Sequence, residues 1–313
     1  MKNLVILTGP TAVGKTSLSI NLAKAINGEI ISADCMQVYK DMDIGTAKVT
    51  KEEMEGVKHY LIDVIDPRED FHVVSFKSMV EDAMNEIYAK GKIPIICGGT
   101  GFYIQAILYD IQFSDQAVDL NYRQELEDFA DKFGNEKLHE KLLAVDPESA
   151  DSIPFQNRKR VIRALEYYRQ TNEKFSVHNQ LERQRKSPYN FAYFVLNDDR
   201  ELLYNRINRR VDIMMNKGLV AEVQSLYDQG LRRGITSMDG IGYKEIISYI
   251  EGEISLEDAV DLIKKNSRNY AKRQLTWFRR EKEVIWLDKR ELTSDQDLLS
   301  EIIGHLNEKG ILL

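Results

Sequence analysis

GPTAVGKT, from Gly9 to Thr16, follows a short apolar run, Lys2 to Thr8, and opens a helical pattern. It satisfies GxxxxGK[ST], and a strand before with a helix after is the context that makes this motif a phosphate loop. Gly9 and Gly14 permit a tight wrap that turns backbone N–H groups inward at phosphate oxygens. The expected phosphate-binding residues are therefore Gly9, Pro10, Thr11, Ala12, Val13, Gly14, Lys15 and Thr16. Lys15 adds a mobile positive charge, and Thr16 offers its hydroxyl to Mg²⁺.

Outward from the loop, strand and helix patterns alternate. Lys15 to Ile26 reads as a helix, with Leu18, Leu22 and Ile26 four residues apart. Glu29 to Ala33 is a second strand, ending at Asp34, and Tyr60 to Ile65 a third. Val73 to Lys90 is helical, and Ile93 to Cys97 is a buried strand before Gly98-Gly99-Thr100-Gly101. This alternation predicts a parallel sheet covered by helices. From Asp119 to Arg185 the texture is helical, with no convincing strand. Strand character returns at Phe191 to Leu196, then an amphipathic helix from Asp199 and another over Ser255 to Arg280. A last strand at Val284 to Leu287 and a closing helix over Asp295 to Leu306 follow. The expected fold is α/β: a P-loop NTPase-like parallel sheet core over 1–115 and 190–313, interrupted by an all-helical insertion domain over 116–189.

With 313 residues, 43% hydrophobic and 30% charged, the chain can bury a large core. No apolar run approaches the roughly 18 residues that span a bilayer. Two cysteines, Cys35 and Cys97, and five scattered histidines lack disulfide-framework or zinc-ligand spacing. A cytoplasmic protein without a membrane partner is expected.

A net charge of −7 argues by itself against nucleic acid. Its distribution argues otherwise. From Gln156 to Lys186 nine basic residues stand against three acidic ones, and from Lys264 to Lys282 eight stand against one. Two basic stretches in an acidic chain are the footprint of a polyanion or two solvated helix faces, which charge alone does not separate.

The loop specifies a phosphate cradle, not a reaction. Nucleotide-hydrolysing relatives of the motif pair it with an Asp at the end of a buried strand. IPIICGG ends without one, but Asp34 ends ISAD near the expected loop. There it can hold Mg²⁺, act as a base, or cap a helix. Arg206, Arg209 and Arg210 lie on the helix after a later strand, where guanidinium groups can reach phosphates or simply face water. A P-loop nucleotide or small-molecule kinase with a lid of helix arginines is one reading of these parts.

Several further segments together decide between readings. ISADCMQVYKDMDIGTAK (31–48), HYLIDVIDP (59–67), GGTGFY (98–103), RALE (163–166), RINRRVDIMMNKGLVAEV (206–223), GIGYKE (240–245) and YAKRQLTWF (270–278) stand in one order with the phosphate loop. In this combination the chain resembles the bacterial tRNA isopentenyltransferase family, the tRNA dimethylallyltransferases, over nearly its whole length. The resemblance implies transfer of a dimethylallyl group from dimethylallyl diphosphate to N6 of the adenosine immediately 3′ of the anticodon. It implies Asp34 as general base, with Lys15, Thr100 and Arg210 completing the catalytic set. It implies Mg²⁺ as cofactor, held at Thr16, and a monomer whose partner is the anticodon stem-loop of tRNA.

By the same resemblance Asp34, Cys35, Met36, Gln37 and Thr100 meet the tRNA. So do Arg123, the segment Gln156, Asn157, Arg158, Lys159 and Arg160, and Lys272, Arg273 and Gln274 near the base channel. Cys35 stands where the family commonly has Ser, and Phe155-Gln156 replaces its usual Pro-Asn-Asp character.

Overall fold

The apolar run before the phosphate loop becomes strand β1 (Lys2–Thr8), in which Leu4, Val5, Ile6 and Leu7 are completely buried. Each such side chain contributes about 1.5–3 kcal/mol relative to exposure, which favours a central position. The computed structural model describes residues 1–113 and 119–312. The expected domain boundary at 115 and 116 lies outside the described residues, as does the side chain of Arg183.

In chain order, β1 leads to α1 (Lys15–Ala25), β2 (Gly28–Ala33), β3 (His59–Tyr60), α2 (Val73–Ala89), β4 (Ile93–Gly98) and α3 (Gly101–Leu108). Helices α4 (Leu120–Phe133), α5 (Asn135–Val145), α6 (Pro147–Ser152), α7 (Arg158–Thr171) and α8 (Phe175–Gln184) follow. Then come β5 (Tyr189–Asn197), α9 (Arg200–Asn216), α10 (Leu219–Asp228), α11 (Tyr243–Ile250), α12 (Leu256–Phe278), β6 (Val284–Asp288) and α13 (Asp295–Glu308).

The strands form one sheet in the order β3-β2-β4-β1-β5-β6, with every neighbouring pair parallel. The α/β expectation holds. The expected third strand, Tyr60 to Ile65, is cut to two residues because Leu61 and Asp63 take positive φ, 61° and 56°. Left-handed backbone cannot continue a ladder. No described helix is long and apolar enough to cross a membrane.

The described residues fall into two compact units, Met1–Leu108 with Pro188–Leu313, and Tyr109–Ser187. The first holds the sheet, with a core that joins Leu7, Leu18 and Leu22 to Phe194 and Leu298. The second is helical, built on Leu126, Leu138, Leu142, Val161 and Leu165. Within it, buried Asp146 accepts from the Ser149 and Ser176 N–H groups and the Ser176 hydroxyl, which satisfies the carboxylate inside the core.

Register places the site. Gly98 pairs with Thr8 on one side and Ala33 on the other, so β1, β4 and β2 end in line. The residues that follow them, Gly9, Gly99 and Asp34, emerge together at the carboxyl edge of the sheet. Open parallel sheets bind ligands at that edge.

Candidate active site

The phosphate loop is built on backbone that only particular residues allow. Gly9 has φ 148°, and a Cβ there would lie 2.7 Å from the Leu196 carbonyl oxygen. Gly14, φ 101°, delivers the chain into α1, which carries no side-chain cap and no acidic residue in its first turn. The free N–H groups and the positive end of the helix are thus left to an anion.

Lys15 Nζ donates to the carbonyls of Gly9 at 3.0 Å and Pro10 at 2.8 Å, which holds its charge over the loop. Burial pushes its pKa down to about 8, Cys97 and Asp34 oppose that shift, and Arg210 reinforces it. Arg210 is lowered too, by burial first, with Asp34 opposing. Lys15, Asp34 and Arg210 therefore lie within electrostatic reach of one another: two cations and one carboxylate at the strand ends.

Asp34 sits in a turn, not at a helix start. Its Oδ1 accepts the Met36 N–H at 2.9 Å, which orients the carboxylate. The thiol of Cys35 is pushed up to about 12 by burial and by Asp34 beside it, so it stays protonated and is no nucleophile. Gln37 turns inward, its Nε2 donating to the carbonyls of Thr46 and Ala47, both at 3.3 Å. Arg210 Nη2 donates to the same Thr46 carbonyl at 3.3 Å.

Thr100 follows β4. Its buried Oγ1 makes no hydrogen bond of good geometry, though the Cys35 thiol and the Tyr270 hydroxyl border it. The Tyr270 phenol is held above its ordinary range by burial, then by Asp34 and Cys35. Tyr270 thus belongs to this cluster, a position that helical spacing on α12 did not reveal.

Gln274, expected among the tRNA contacts, is 5% exposed with both ends of its amide engaged. Its Oε1 accepts the Thr11 N–H at 2.9 Å and its Nε2 donates to the Gly99 carbonyl at 3.0 Å. Lys272 and Arg273 on the same helix are exposed. Arg206, read as reaching phosphates or facing water, instead braces the loop: Nε donates to the Ala12 carbonyl at 3.2 Å and Nη2 pairs with Asp198 at 2.5 Å.

In the helical unit, Arg158, Lys159 and Arg160 open α7, with Asn157 as its N-cap. Cations in a first turn oppose the helix dipole at about 0.3–1 kcal/mol each, a cost that folding alone does not explain. Arg158 offsets part of it by pairing with Asp131 at 2.6 Å and Glu127 at 2.6 Å. Gln156 and Lys159 are exposed. Arg123 forms a two-pronged pair with Glu166, 2.8 and 2.7 Å, which accounts for the glutamate of RALE.

The profile of the IPP transferase family matches residues 37–281. The chain belongs to the IPP transferase family. A tRNA dimethylallyltransferase of Lachnoclostridium phytofermentans is 58% identical over 312 residues, covering 100% of both chains. The crystal structure of the full-length tRNA isopentenylpyrophosphate transferase from Bacillus halodurans superposes with a TM-score of 0.74 at 45% identity, over 99% of this chain and 98% of that one. A eukaryotic dimethylallyltransferase captured acting on tRNA has a TM-score of 0.76 at 28% identity, over 96% and 80%. These IPP transferase relatives are named for prenyl transfer and not for phosphoryl transfer, so the kinase reading is set aside.

Proposed function

We propose that this chain transfers a dimethylallyl group from dimethylallyl diphosphate to N6 of the tRNA adenosine 3′-adjacent to the anticodon. The observation that carries the reading is the register that ends β1, β4 and β2 in line, so that the phosphate loop, with Lys15 held over it, and Asp34 emerge at one edge of the sheet. The loop and its cation suit a diphosphate, and the carboxylate suits a proton.

The adenine N6 lone pair attacks C1 of the dimethylallyl group. The C1–O bond breaks, its electrons leave with diphosphate, and the N6 proton passes to Asp34. The loop N–H groups, Lys15 and Arg210 stabilise the charge that develops on the leaving diphosphate. Thr100 and Tyr270, beside Asp34, line the acceptor side. The adenine must leave its stack to reach that carboxylate.

No group of three or more His, Cys, Asp or Glu residues with metal-binding geometry occurs among the described residues. Mg²⁺ still fits, because it is commonly held by one or two protein oxygens with waters and substrate phosphates. The exposed Thr16 hydroxyl at the start of α1 is the oxygen that would hold it. When bound, Mg²⁺ neutralises charge on the diphosphate.

The helical unit and Lys272 and Arg273 would supply phosphate contacts to the anticodon arm. Such a reaction belongs in the cytoplasm.

The test is incubation of the purified protein with Mg²⁺, dimethylallyl diphosphate and an unmodified tRNA carrying A-A-A beside the anticodon. Nucleoside mass spectrometry is expected to find N6-dimethylallyladenosine, with AMP a far poorer acceptor. Transfer of a labelled γ-phosphate from ATP to a small acceptor without RNA, and no prenylated adenosine, would overturn the reading.

A further inference from the structure

Three motifs, DMDIGTAK, KGLVAEV and GIGYKE, have no role in the chemistry above, yet the structure brings them to one point. Residues 34–58, between β2 and β3, form no regular element. An isolated bridge, Tyr39 to Ile65, ties its first part to the chain beyond β3. At 43–45 a carboxylate takes that role. Glu222, in the first turn of α10, accepts three successive backbone N–H groups: Asp43 at 2.9 Å, Ile44 at 2.7 Å and Gly45 at 3.0 Å. Successive N–H groups converging in this way form an anion nest, and here its anion is a side chain of the same protein.

Tyr243 completes the arrangement. Its hydroxyl donates to Glu222 at 2.7 Å, and its ring is fully buried against the loop. A Cβ on Gly45 would lie 2.5 Å from that ring, so glycine is needed for the approach. One residue further on, the Thr46 carbonyl accepts from both Arg210 and Gln37. The Glu222 carboxylate and the Arg210 guanidinium thus hold neighbouring parts of one short peptide segment, which also carries turn hydrogen bonds from the Ala47 N–H to Ile44 and from the Lys48 N–H to Asp43.

We propose that Glu222 is a positioning residue for prenyl transfer: oriented by Tyr243, it fixes the 43–45 backbone so that the Thr46 carbonyl aims the Arg210 guanidinium. The inference rests on the reading that Arg210 attends the donor diphosphate. Glu222 touches no substrate. Without its carboxylate the loop N–H groups turn to water, the Thr46 carbonyl shifts, and Arg210 loses its aim.

The experiment is a double-mutant cycle on the full chain, with kcat/KM measured separately for dimethylallyl diphosphate and for tRNA. Glu222→Gln keeps the size but presents an amide NH₂ to donors that need an acceptor. It is expected to lower kcat/KM for the donor by about 10- to 100-fold, the scale of a small displacement of a catalytic group, with KM for tRNA within about threefold. Arg210→Ala is severe in the parent protein, and adding Glu222→Gln to it is expected to cost less than about threefold more, because no guanidinium remains to be aimed. Tyr243→Phe keeps the ring against Gly45 and removes only the hydroxyl. It is expected to act in the same sense by about 3- to 10-fold, and it carries the cycle if Glu222→Gln does not fold.

Additive losses, or unchanged kinetics with only a lowered Tm, would overturn the inference. Arg210→Ala with parental kinetics would instead overturn the reading of Arg210.

Discussion

The side-chain oxygen of Gln274 accepts the backbone N–H of Thr11 at 2.9 Å, which ties α12 to the phosphate loop across 263 residues of chain. Because the same amide donates to Gly99, one side chain sets the spacing between the two loops that flank the site. Gln274→Ala leaves a buried donor and acceptor unmatched, at about 1–3 kcal/mol, and is expected to lower kcat/KM for the donor about tenfold or more while tRNA affinity stays within about twofold. Steady-state kinetics beside filter binding check this. Lost RNA affinity at unchanged turnover would make Gln274 an RNA contact instead.

Lys15 gives the protein a pH dependence. Its ammonium is present below about 8 and lost above it. The dependence of kcat/KM on pH reports groups of the free protein, so kcat/KM for dimethylallyl diphosphate is expected to fall as pH climbs through about 8. Between about 8 and the ordinary 10.5, the unfolded lysine binds more protons than the folded one. This group's contribution to stability therefore rises with pH across that window. A flat kcat/KM profile from neutrality to well above pH 8 would count against the shift.

Gly98 lies against the backbone just before Asp34. A Cβ there would sit 2.3 Å from the Ala33 carbonyl oxygen, and backbone cannot swing aside as a side chain can. Gly98→Ala is expected to cost about 1–3 kcal/mol of stability by overpacking and to slow transfer as well. Thermal unfolding and turnover measured together check it, and a Tm within a degree of the parent's would contradict it.

Lys159, exposed in the first turn of α7, is expected to contact an RNA phosphate. Lys159→Ala should weaken tRNA binding and reduce the slope of log affinity against log salt by roughly 0.7–1. KM for the diphosphate donor should not move. An unchanged salt slope would mean that Lys159 only keeps its helix in water.

How far these features were legible in the sequence follows from their range. The phosphate loop could be read because strand, glycines and helix are contiguous and each has a local physical requirement. The third strand was misjudged because two positive φ values, at Leu61 and Asp63, follow from packing and leave no glycine as a sign. Helices α10 and α11 were not read as elements, only the family-like segments that enter them, and Glu222 on α10 was given no role. Its partners stand 177 to 179 positions away, beyond any periodicity. Gln274 was expected at the tRNA by resemblance, and only its burial between Thr11 and Gly99 reveals what its amide does. Family resemblance, by contrast, marked Asp34, Thr100 and Arg210, and the structure brings them to one edge of the sheet.

The most direct test of the central claim is single-turnover transfer from labelled dimethylallyl diphosphate to tRNA already bound by excess protein. The parent protein is expected to yield N6-dimethylallyladenosine. Asp34→Ala is expected to slow that step by about 10²- to 10⁴-fold, the range of a lost general base, with tRNA affinity preserved. No prenylated adenosine from the parent protein, or transfer by Asp34→Ala at the parental rate, would contradict the account.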